Sequence, residues 1–314
     1  MGISNYLKEI GRGAKGARPL TREHAADMLG QILDDQCSDL EIGAFCLAMR
    51  IKGETPVELA GFLDAVNSRI TKVPASDRPV VVLPSYNGAR KQAILTPLLG
   101  LLLAREGWPV LLHGTATEDS RVPSWDVLQA MGVEASNPTA PIASGRMHWI
   151  PTERLLPSLK RLLDVRRTVG LRNPAHSLVK LMNPCAGSSL VVGSYTHPEY
   201  AISMAATFQL TSASAPHSAA LLLRGTEGEP VADARRVPRM EVIMNGQARC
   251  VQDAQVGALT NMPDLPAMDA ASTAAYTRAV LEGAMVVPEP IARQVEQISS
   301  VCNALQDARL GQDA

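Results

Sequence analysis

The sequence has few aromatic residues and no overall bias of charge. Phe, Trp and Tyr make up 4% of the 314 residues, and the formal net charge is −1. The core must therefore be mainly aliphatic, which is feasible because hydrophobic residues reach 46%. Charged residues make up 19%. This composition indicates a globular protein and excludes both a disordered chain and a uniformly basic one.

Paired cysteines and long apolar runs are also missing. No stretch approaches the roughly 18 consecutive apolar residues that a membrane helix needs, so we expect no membrane insertion. The cysteines are odd in number and contain no Cys-x-x-Cys motif, which favours reduced thiols in a cytoplasmic protein. They are Cys37, Cys46, Cys185, Cys250 and Cys302.

Positive charge is concentrated in two segments of the chain. Residues 1–22 carry five basic side chains and one acid, and residues 152–172 carry six basic side chains and two acids. Such local asymmetry is what an electrostatic binding surface requires, even when the mean charge is near zero.

Hydrophobic periodicity predicts two kinds of structure. Residues 21–75 show helical stripes with capping residues at Thr21, Ser38 and Thr55 and a stop at Gly53. From Val80 onward, short apolar strands alternate with helices, which predicts a mostly parallel sheet. Within that part we expect helices over 92–105 and 152–169. Weak alternation over 241–251 indicates a strand, for which antiparallel pairing is one option.

Four segments resemble anthranilate phosphoribosyltransferase. They are "MLGQILDDQCSDLEIGAFCLAMRIKGETPVELAG" (28–61), "PVLLHGTATEDSRVPSWDVLQAMGV" (109–133), "DVRRTVGLRNPAHSLVKLMNP" (164–184) and "LEGAMVVPEPIARQVEQI" (281–298). The third is similar to the family pattern VRxxLGxRTxFNxLGPLxNP. The resemblance implies a nucleoside phosphorylase/phosphoribosyltransferase-like (class III) α/β fold. It also implies a helical domain over 1–75, joined by helices near 150–172, and a large domain over 76–314.

The family's glycine-rich pyrophosphate loop is degenerate in this sequence. Where relatives have GTGGDG after the first strand, this chain has "LPSYNGARK", in which Gly88 is the one glycine left. Pro84 removes an N–H donor and Tyr86 adds bulk, so a pyrophosphate cradle of the usual kind is not expected. Relatives have amide and hydroxyl side chains at positions that follow this loop. At those positions this chain keeps one hydroxyl, that of Thr96.

Two further catalytic motifs of the family are also altered. In the KHGN loop the lysine and asparagine correspond to Leu112 and Thr115, while His113 and Gly114 remain; we interpret His113 as structural. Arg121 falls where the family has a loop lysine. The Asp-Glu magnesium pair corresponds to Pro230 and Val231, which cannot bind a hard cation. The neighbouring Glu227 and Glu229 are interpreted as solvated turn carboxylates rather than as displaced metal ligands.

These departures from the family motifs resemble the YbiB-type branch of the family. That resemblance implies a dimer that binds DNA and RNA with little sequence preference. Arg166 matches the family's anthranilate-binding arginine. We expect the former cleft to have become a basic groove that contacts phosphates. Its predicted residues come from the Gly11–Pro19 loop, the altered pyrophosphate loop and the 152–169 helix: Arg12, Lys15, Arg18, Arg90, Lys91, Lys160, Arg161, Arg166 and Arg167.

Two alternatives to nucleic-acid binding stay open. One is a phosphoribosyltransferase acting on anthranilate or another acceptor, and magnesium is expected as a cofactor only in that case. The other is a catalytically silent protein-interaction module. We also predict a homodimer through helices of residues 21–70, because one small domain need not bury so much apolar surface. The stripe behind that prediction is Phe45, Met49, Leu59, Phe62 and Leu63.

Overall fold

The computed structural model describes residues 2–13, 15–213, 217–257, 259 and 261–310. Four helices come first: α1 (Ser4–Ile10), α2 (Arg22–Leu33), α3 (Asp39–Lys52) and α4 (Pro56–Asn67). The predicted caps are confirmed. Thr21 accepts a hydrogen bond from His24 N, and Ser38 and Thr55 each form a complete capping box. Gly53 ends α3 with a φ of +79°, a conformation that favours glycine.

The helical stripes form the core of this domain and are not surface. Phe45 and Phe62 pack edge to face with ring centroids 6.0 Å apart, and both are fully buried. Met49, Leu59 and Leu63 are buried as well. The prediction that these five residues form spare apolar surface for a dimer was therefore wrong, because they pack against one another within one chain.

The rest of the chain forms a seven-stranded sheet in the order β3-β2-β1-β4-β5-β6-β7. The strands from β3 to β5 pair in parallel, and β6 and β7 continue the sheet in antiparallel pairing. This confirms the α/β fold class and the antiparallel option, although 241–251 forms a hairpin of two strands rather than the one strand expected. The strands are β1 (Val80–Ser85), β2 (Val110–Gly114), β3 (Met147–Pro151), β4 (Ser189–Tyr195), β5 (Ser218–Arg224), β6 (Met240–Met244) and β7 (Gln247–Gln252).

Helices pack around the sheet and connect its parallel strands. They are α5 (Thr96–Arg105), α6 (Ser124–Ala130), α7 (Thr152–Leu155), α8 (Pro157–Val169), α9 (Ala175–Leu178), α10 (Pro198–Ser212), α11 (Ala270–Leu281) and α12 (Glu289–Leu310). Two predicted helices differ. The helix expected from residue 92 begins at Thr96. The one expected over 152–169 is broken at Leu156, which is extended because Pro157 follows it.

The helix α8 joins the small domain in space, although it comes much later in the chain. Its residues Leu159, Leu162 and Leu163 are buried in the same apolar cluster as Leu29 of α2. The polar face of α8 points away from that cluster. Among the described residues, no helix has both the length and the apolar character needed to cross a membrane.

Candidate functional site

The loop after β1 wraps around a carboxylate that belongs to the same chain. Glu229 is 1% exposed, and its Oε1 accepts hydrogen bonds from Asn87 N (2.6 Å) and Gly88 N (2.9 Å). Its Oε2 accepts from Ser85 Oγ (2.5 Å) and from Thr96 Oγ1 (3.3 Å) at the first residue of α5. Backbone N–H groups and a helix N-terminus are the usual partners of a bound anion. Here the anion is supplied internally.

A second carboxylate accepts hydrogen bonds from two further N–H groups of this loop. Glu227 Oε2 accepts hydrogen bonds from Arg90 N at 2.7 Å and Lys91 N at 3.0 Å. The interpretation as a solvated turn carboxylate was therefore wrong for Glu229, which is buried, whereas Glu227 is partly exposed and also bonds to the loop. Each binds the backbone of the loop that would otherwise receive a polyanion. The described residues contain no cluster of three or more Asp, Glu, His or Cys side chains that could hold a metal ion.

The segment Gly225–Glu229 is fixed by tight backbone contacts. Asn87 Nδ2 donates to Glu227 O at 2.6 Å, and Gly228 O accepts from Ser194 Oγ at 2.7 Å and from Lys180 Nζ at 2.8 Å. Gly228 has a φ of +83°, and a Cβ there would lie 2.2 Å from Asn87 Nδ2. We call this segment, with its two glutamates, the plug, because it closes the loop after β1.

The two positions that correspond to the family's magnesium ligands lie inside the core. Pro230 and Val231 are buried, and Pro230 O accepts a hydrogen bond from Gln294 Nε2 at 2.9 Å. Neither side chain offers an oxygen ligand. The residues present therefore do not fit the usual magnesium pair.

The residual family positions hold the strand ends together. His113 is fully buried, and its Nδ1 lies 2.8 Å from Tyr86 Oη, which also contacts Thr152 Oγ1 at 3.0 Å. Burial lowers the pKa of His113 to about 3, so the ring is neutral. A Cβ at Gly114 would lie 1.8 Å from Ser85 O. These contacts support the structural interpretation of His113.

The four predicted cations of α8 are each bonded to a carboxylate. Lys160 pairs with Asp164, Arg161 with Asp35 and Asp39, Arg166 with Glu118, and Arg167 with Asp119 and Asp164. Glu118 also pairs with Arg121 at 2.6 Å. The anthranilate-binding position, Arg166, is thus directed at the loop after β2. The helix presents its charges as ion pairs and not as free cations.

The other predicted cations are less constrained. Arg12 pairs with Glu9 at 3.1 Å. Within the part of the chain that the structure describes, no carboxylate lies within ion-pair distance of the exposed Lys15, Arg18, Arg90 or Lys91. Ala14, in the Gly11–Pro19 loop, lies outside the described residues.

A cleft of about 420 Å³ opens beside the plug, between the α3–α4 turn and the end of β4. Its wall contains Arg172 and Lys180, which sequence reasoning did not single out. Arg172 Nη2 donates to Asn87 Oδ1 at 3.2 Å, so this arginine contacts the loop that Glu229 fills. One signal in the sequence could have identified Lys180 as a site residue: it occupies the position at which the family pattern VRxxLGxRTxFNxLGPLxNP has proline.

The comparisons with known proteins agree with this architecture. Residues 4–69 match the helical bundle domain of a glycosyl transferase family. The chain is 36% identical to YbiB of Escherichia coli (strain K12), over 94% of this chain and 92% of that protein. It is 31% identical to anthranilate phosphoribosyltransferase of Methanopyrus kandleri, over 61% of this chain and 58% of that enzyme.

Solved structures show the same fold. Anthranilate phosphoribosyltransferase from Thermus thermophilus superposes with a TM-score of 0.71 at 20% identity, covering 95% of this chain and 91% of that one. The Saccharomyces cerevisiae enzyme in complex with PRPP and Mg gives a TM-score of 0.69 at 15% identity, covering 98% and 89%. The chain therefore belongs to the anthranilate phosphoribosyltransferase family, within the branch that contains YbiB.

Proposed function

We propose that this protein binds DNA and RNA with little sequence specificity and does not transfer phosphoribosyl groups. The observation that carries the proposal is the set of exposed cations without carboxylate partners, within the described ranges, on two loops. They are Lys15, Arg18, Arg90 and Lys91. Free cations on loops are suited to phosphates, because they bind without first breaking an internal ion pair.

Hydrogen bonds link both loops to the cleft. Leu20 N, close after Arg18, donates to Glu58 Oε1 at 3.0 Å, and Glu58 Oε2 accepts from Lys52 Nζ of the cleft wall at 2.7 Å. On the other side, Arg90 and Lys91 follow Asn87, which also lines the cleft. The loop that carries Arg90 and Lys91 therefore adjoins the cleft, and the loop that carries Arg18 is joined to the cleft wall through Glu58 and Lys52.

The competing function is phosphoribosyl transfer to anthranilate or another acceptor, with magnesium as cofactor. It is favoured by the hydroxyls of Ser85 and Thr96, which bond to the carboxylate of Glu229, and by that of Ser124, which bonds to Ser85; all three would face a donor if the plug withdrew. Magnesium-dependent turnover of anthranilate and donor, above a control without protein, would support this alternative. We expect none, because Glu227 and Glu229 occupy the N–H groups that a donor would need.

Fluorescence anisotropy with random-sequence DNA and RNA tests nucleic-acid binding. We expect affinity to fall steeply between about 50 and about 200 mM salt, because phosphate contacts release counterions. Lys15→Glu/Arg18→Glu and Arg90→Glu/Lys91→Glu should each weaken binding at least about tenfold, alike for all sequences. Reversing α8 cations should have a smaller effect per residue, because each already has a partner.

The control is Arg249→Glu, an exposed arginine on the edge strand β7, which β4, β5 and β6 separate from β1 and the loop that follows it. It should leave affinity unchanged. Affinity that ignores salt and both double substitutions would contradict the proposal, and would favour the third possibility of a protein-interaction module.

We also propose that the protein is a homodimer through α3. After the core residues are excluded, one face of α3 still exposes Leu40 (84%), Leu47 (46%) and Ile51 (63%), with Ala44 between them. The spacing of three and four residues places them in one stripe. This stripe, unlike the buried one, is available to a second copy.

Leu47→Asp should convert the dimer to a monomer, because a desolvated carboxylate at the centre of the stripe is strongly unfavourable. Light scattering at micromolar concentration measures the change in mass. Val286→Asp is the control, since Val286 is 87% exposed and lies in the loop before α12. A wild-type protein of monomer mass would contradict the dimer.

A further inference from the structure

The cleft beside the plug has the size of a small-ligand site. Its volume is about 420 Å³, within the range of roughly 300–1,000 Å³ typical of such sites. It therefore has room for more than an inorganic ion. The wall is built by the α3–α4 turn, the segment around α9, and the end of β4 with the start of α10.

Two cations in this wall form no ion pair within the described chain. Arg172 makes one hydrogen bond, to Asn87 Oδ1, and Lys180 makes one, to Gly228 O; neither has a carboxylate within ion-pair distance in those ranges. Both are partly buried. Partly buried cations without a counterion are unfavourable, and most of their N–H donors remain unused. A bound dianion would supply what is missing.

The electrostatics of these groups favour binding of an anion. The pKa of Lys180 is lowered to about 8, chiefly by burial and also by Arg172 and Arg121, against the opposing effect of Glu229. Burial also lowers the pKa of Arg172. Burial, with Arg172 and Arg166, lowers the pKa of His176 to about 3, so this residue adds no positive charge. The other charged groups that face the cleft are Arg50, Lys52, Glu54 and Glu199.

The rest of the wall suits a ring and a sugar. Tyr195 and Tyr200 line the cleft, and Tyr200 is 46% exposed, so its ring is accessible for stacking. Hydroxyl groups from Thr196, Ser177 and Ser203 lie in the same wall. Stacking on tyrosine and hydrogen bonds from hydroxyls are common modes of nucleotide recognition.

We propose that this cleft binds a nucleotide through its phosphate monoester, which Arg172 and Lys180 hold while the base lies against Tyr200. The monoester is that of a free 5′-nucleotide or of the 5′-phosphorylated end of a strand. The site is separate from Lys15, Arg18, Arg90 and Lys91, so it goes beyond the binding proposed above and can be tested without it.

Calorimetric titration with adenosine 5′-monophosphate tests the site. We expect measurable binding by the wild type and none with adenosine, because the phosphate supplies the ionic contacts. Lys180→Met and Arg172→Met should each weaken binding at least about tenfold. Gly228 O keeps its bond from Ser194, so Lys180→Met should fold. Arg249→Met, which removes one cation outside the cleft, should bind like the wild type.

The dependence on pH provides a second readout. Above about pH 8 Lys180 loses its proton, so affinity should fall about tenfold between pH 7 and pH 9, and this fall should be absent in Lys180→Met. Below about pH 6 the phosphate becomes a monoanion and affinity should fall again. A fall above pH 8 that persists in Lys180→Met would overturn the assignment of Lys180.

Matched oligonucleotides distinguish the two sources. Tighter binding of a 5′-phosphorylated strand than of its 5′-hydroxyl counterpart, lost in Lys180→Met, supports the strand end. Binding of the mononucleotide with no preference between strands supports a free nucleotide. No binding of the mononucleotide, or equal binding of adenosine, would overturn the proposal. Binding of the mononucleotide is measured without the Arg90→Glu/Lys91→Glu variant. A failure of the nucleic-acid binding proposed above is therefore distinguished from a failure of the cleft to bind a nucleotide.

Discussion

Glu229→Ala is expected to lower the free energy of unfolding by about 4 kcal/mol, because each unsatisfied buried group costs about 1–3 kcal/mol. The substitution leaves Asn87 N and Gly88 N buried without an acceptor, and Ser85 Oγ loses its 2.5 Å bond. Denaturant unfolding measures the loss. Glu229→Gln should cost less, because its amide oxygen can still accept both backbone bonds.

Pyrophosphate should partly rescue Glu229→Ala. Removal of the side chain frees Asn87 N and Gly88 N in the loop after β1, beside the hydroxyl of Thr96, and an external anion can take the place of the carboxylate there. Ligand that binds the folded state alone stabilises it, so we expect the melting temperature of this variant to rise by several degrees in excess pyrophosphate. The wild type should not respond in the same way. Equal responses of the two proteins would show that the plug does not occupy an anion site.

The control for the Glu229 variants is Glu289→Ala. Glu289 is an exposed acid at the start of α12, paired with Arg293 one turn later. Exposed pairs of this kind contribute about 0.5 kcal/mol or less. A loss of stability in Glu229→Ala no larger than in this control would contradict the role given to the plug.

Glu58→Ala should destabilise the small domain by about 3–5 kcal/mol, because removing one partner of a buried ion pair leaves the other charge without compensation. Glu58 is fully buried, and its carboxylate accepts bonds from Lys52 Nζ (2.7 Å), Thr55 N (2.9 Å) and Leu20 N (3.0 Å). The same carboxylate ties the N-terminal loop to α4. We therefore also expect faster proteolysis near residues 11–19 in this variant.

A double-mutant cycle isolates the ion pair from the rest of the network. Lys52→Met/Glu58→Gln should be less destabilised than the sum of its single variants, because neither buried charge is left alone. Urea unfolding of the four proteins gives the coupling energy. Additive losses would mean that Lys52 and Glu58 act independently, and that the backbone bonds of Glu58 account for the whole effect.

The helical domain was predictable because its signals are local. Ser38 with Glu41, and Thr55 with Glu58, mark helix starts through residues three positions apart, and Gly53 marks a stop. The weak strand β3 was missed because its apolar character is short and follows a long loop. The helix α1 was missed because seven residues give too little periodicity to distinguish it from the basic loop that follows.

The plug was not predictable for a different reason. Glu229 bonds to Asn87, 142 residues earlier, across strands that are not neighbours in the sheet. Its sequence context, between glycines and a proline, is typical of an exposed turn. Similarly, the ion pairs of Arg161, Arg166 and Arg167 were missed because their partners Asp35, Glu118 and Asp119 come from distant loops, whereas the pairing of Lys160 with Asp164 is local. Local patterns identify such residues but not their partners.

The ion pairs of α8 have a consequence for the salt dependence of binding. A phosphate that approaches Arg161 or Arg167 must displace Asp35 or Asp119, so the helix carries carboxylates as built-in counterions. The phosphate still releases its own cation, but the displaced carboxylate attracts a cation from solution, and the two effects offset each other. The slope of log affinity against log salt then reflects the contacts made by the free loop cations and not those made by α8. For a strand that contacts both, the slope would therefore underestimate the number of phosphate contacts.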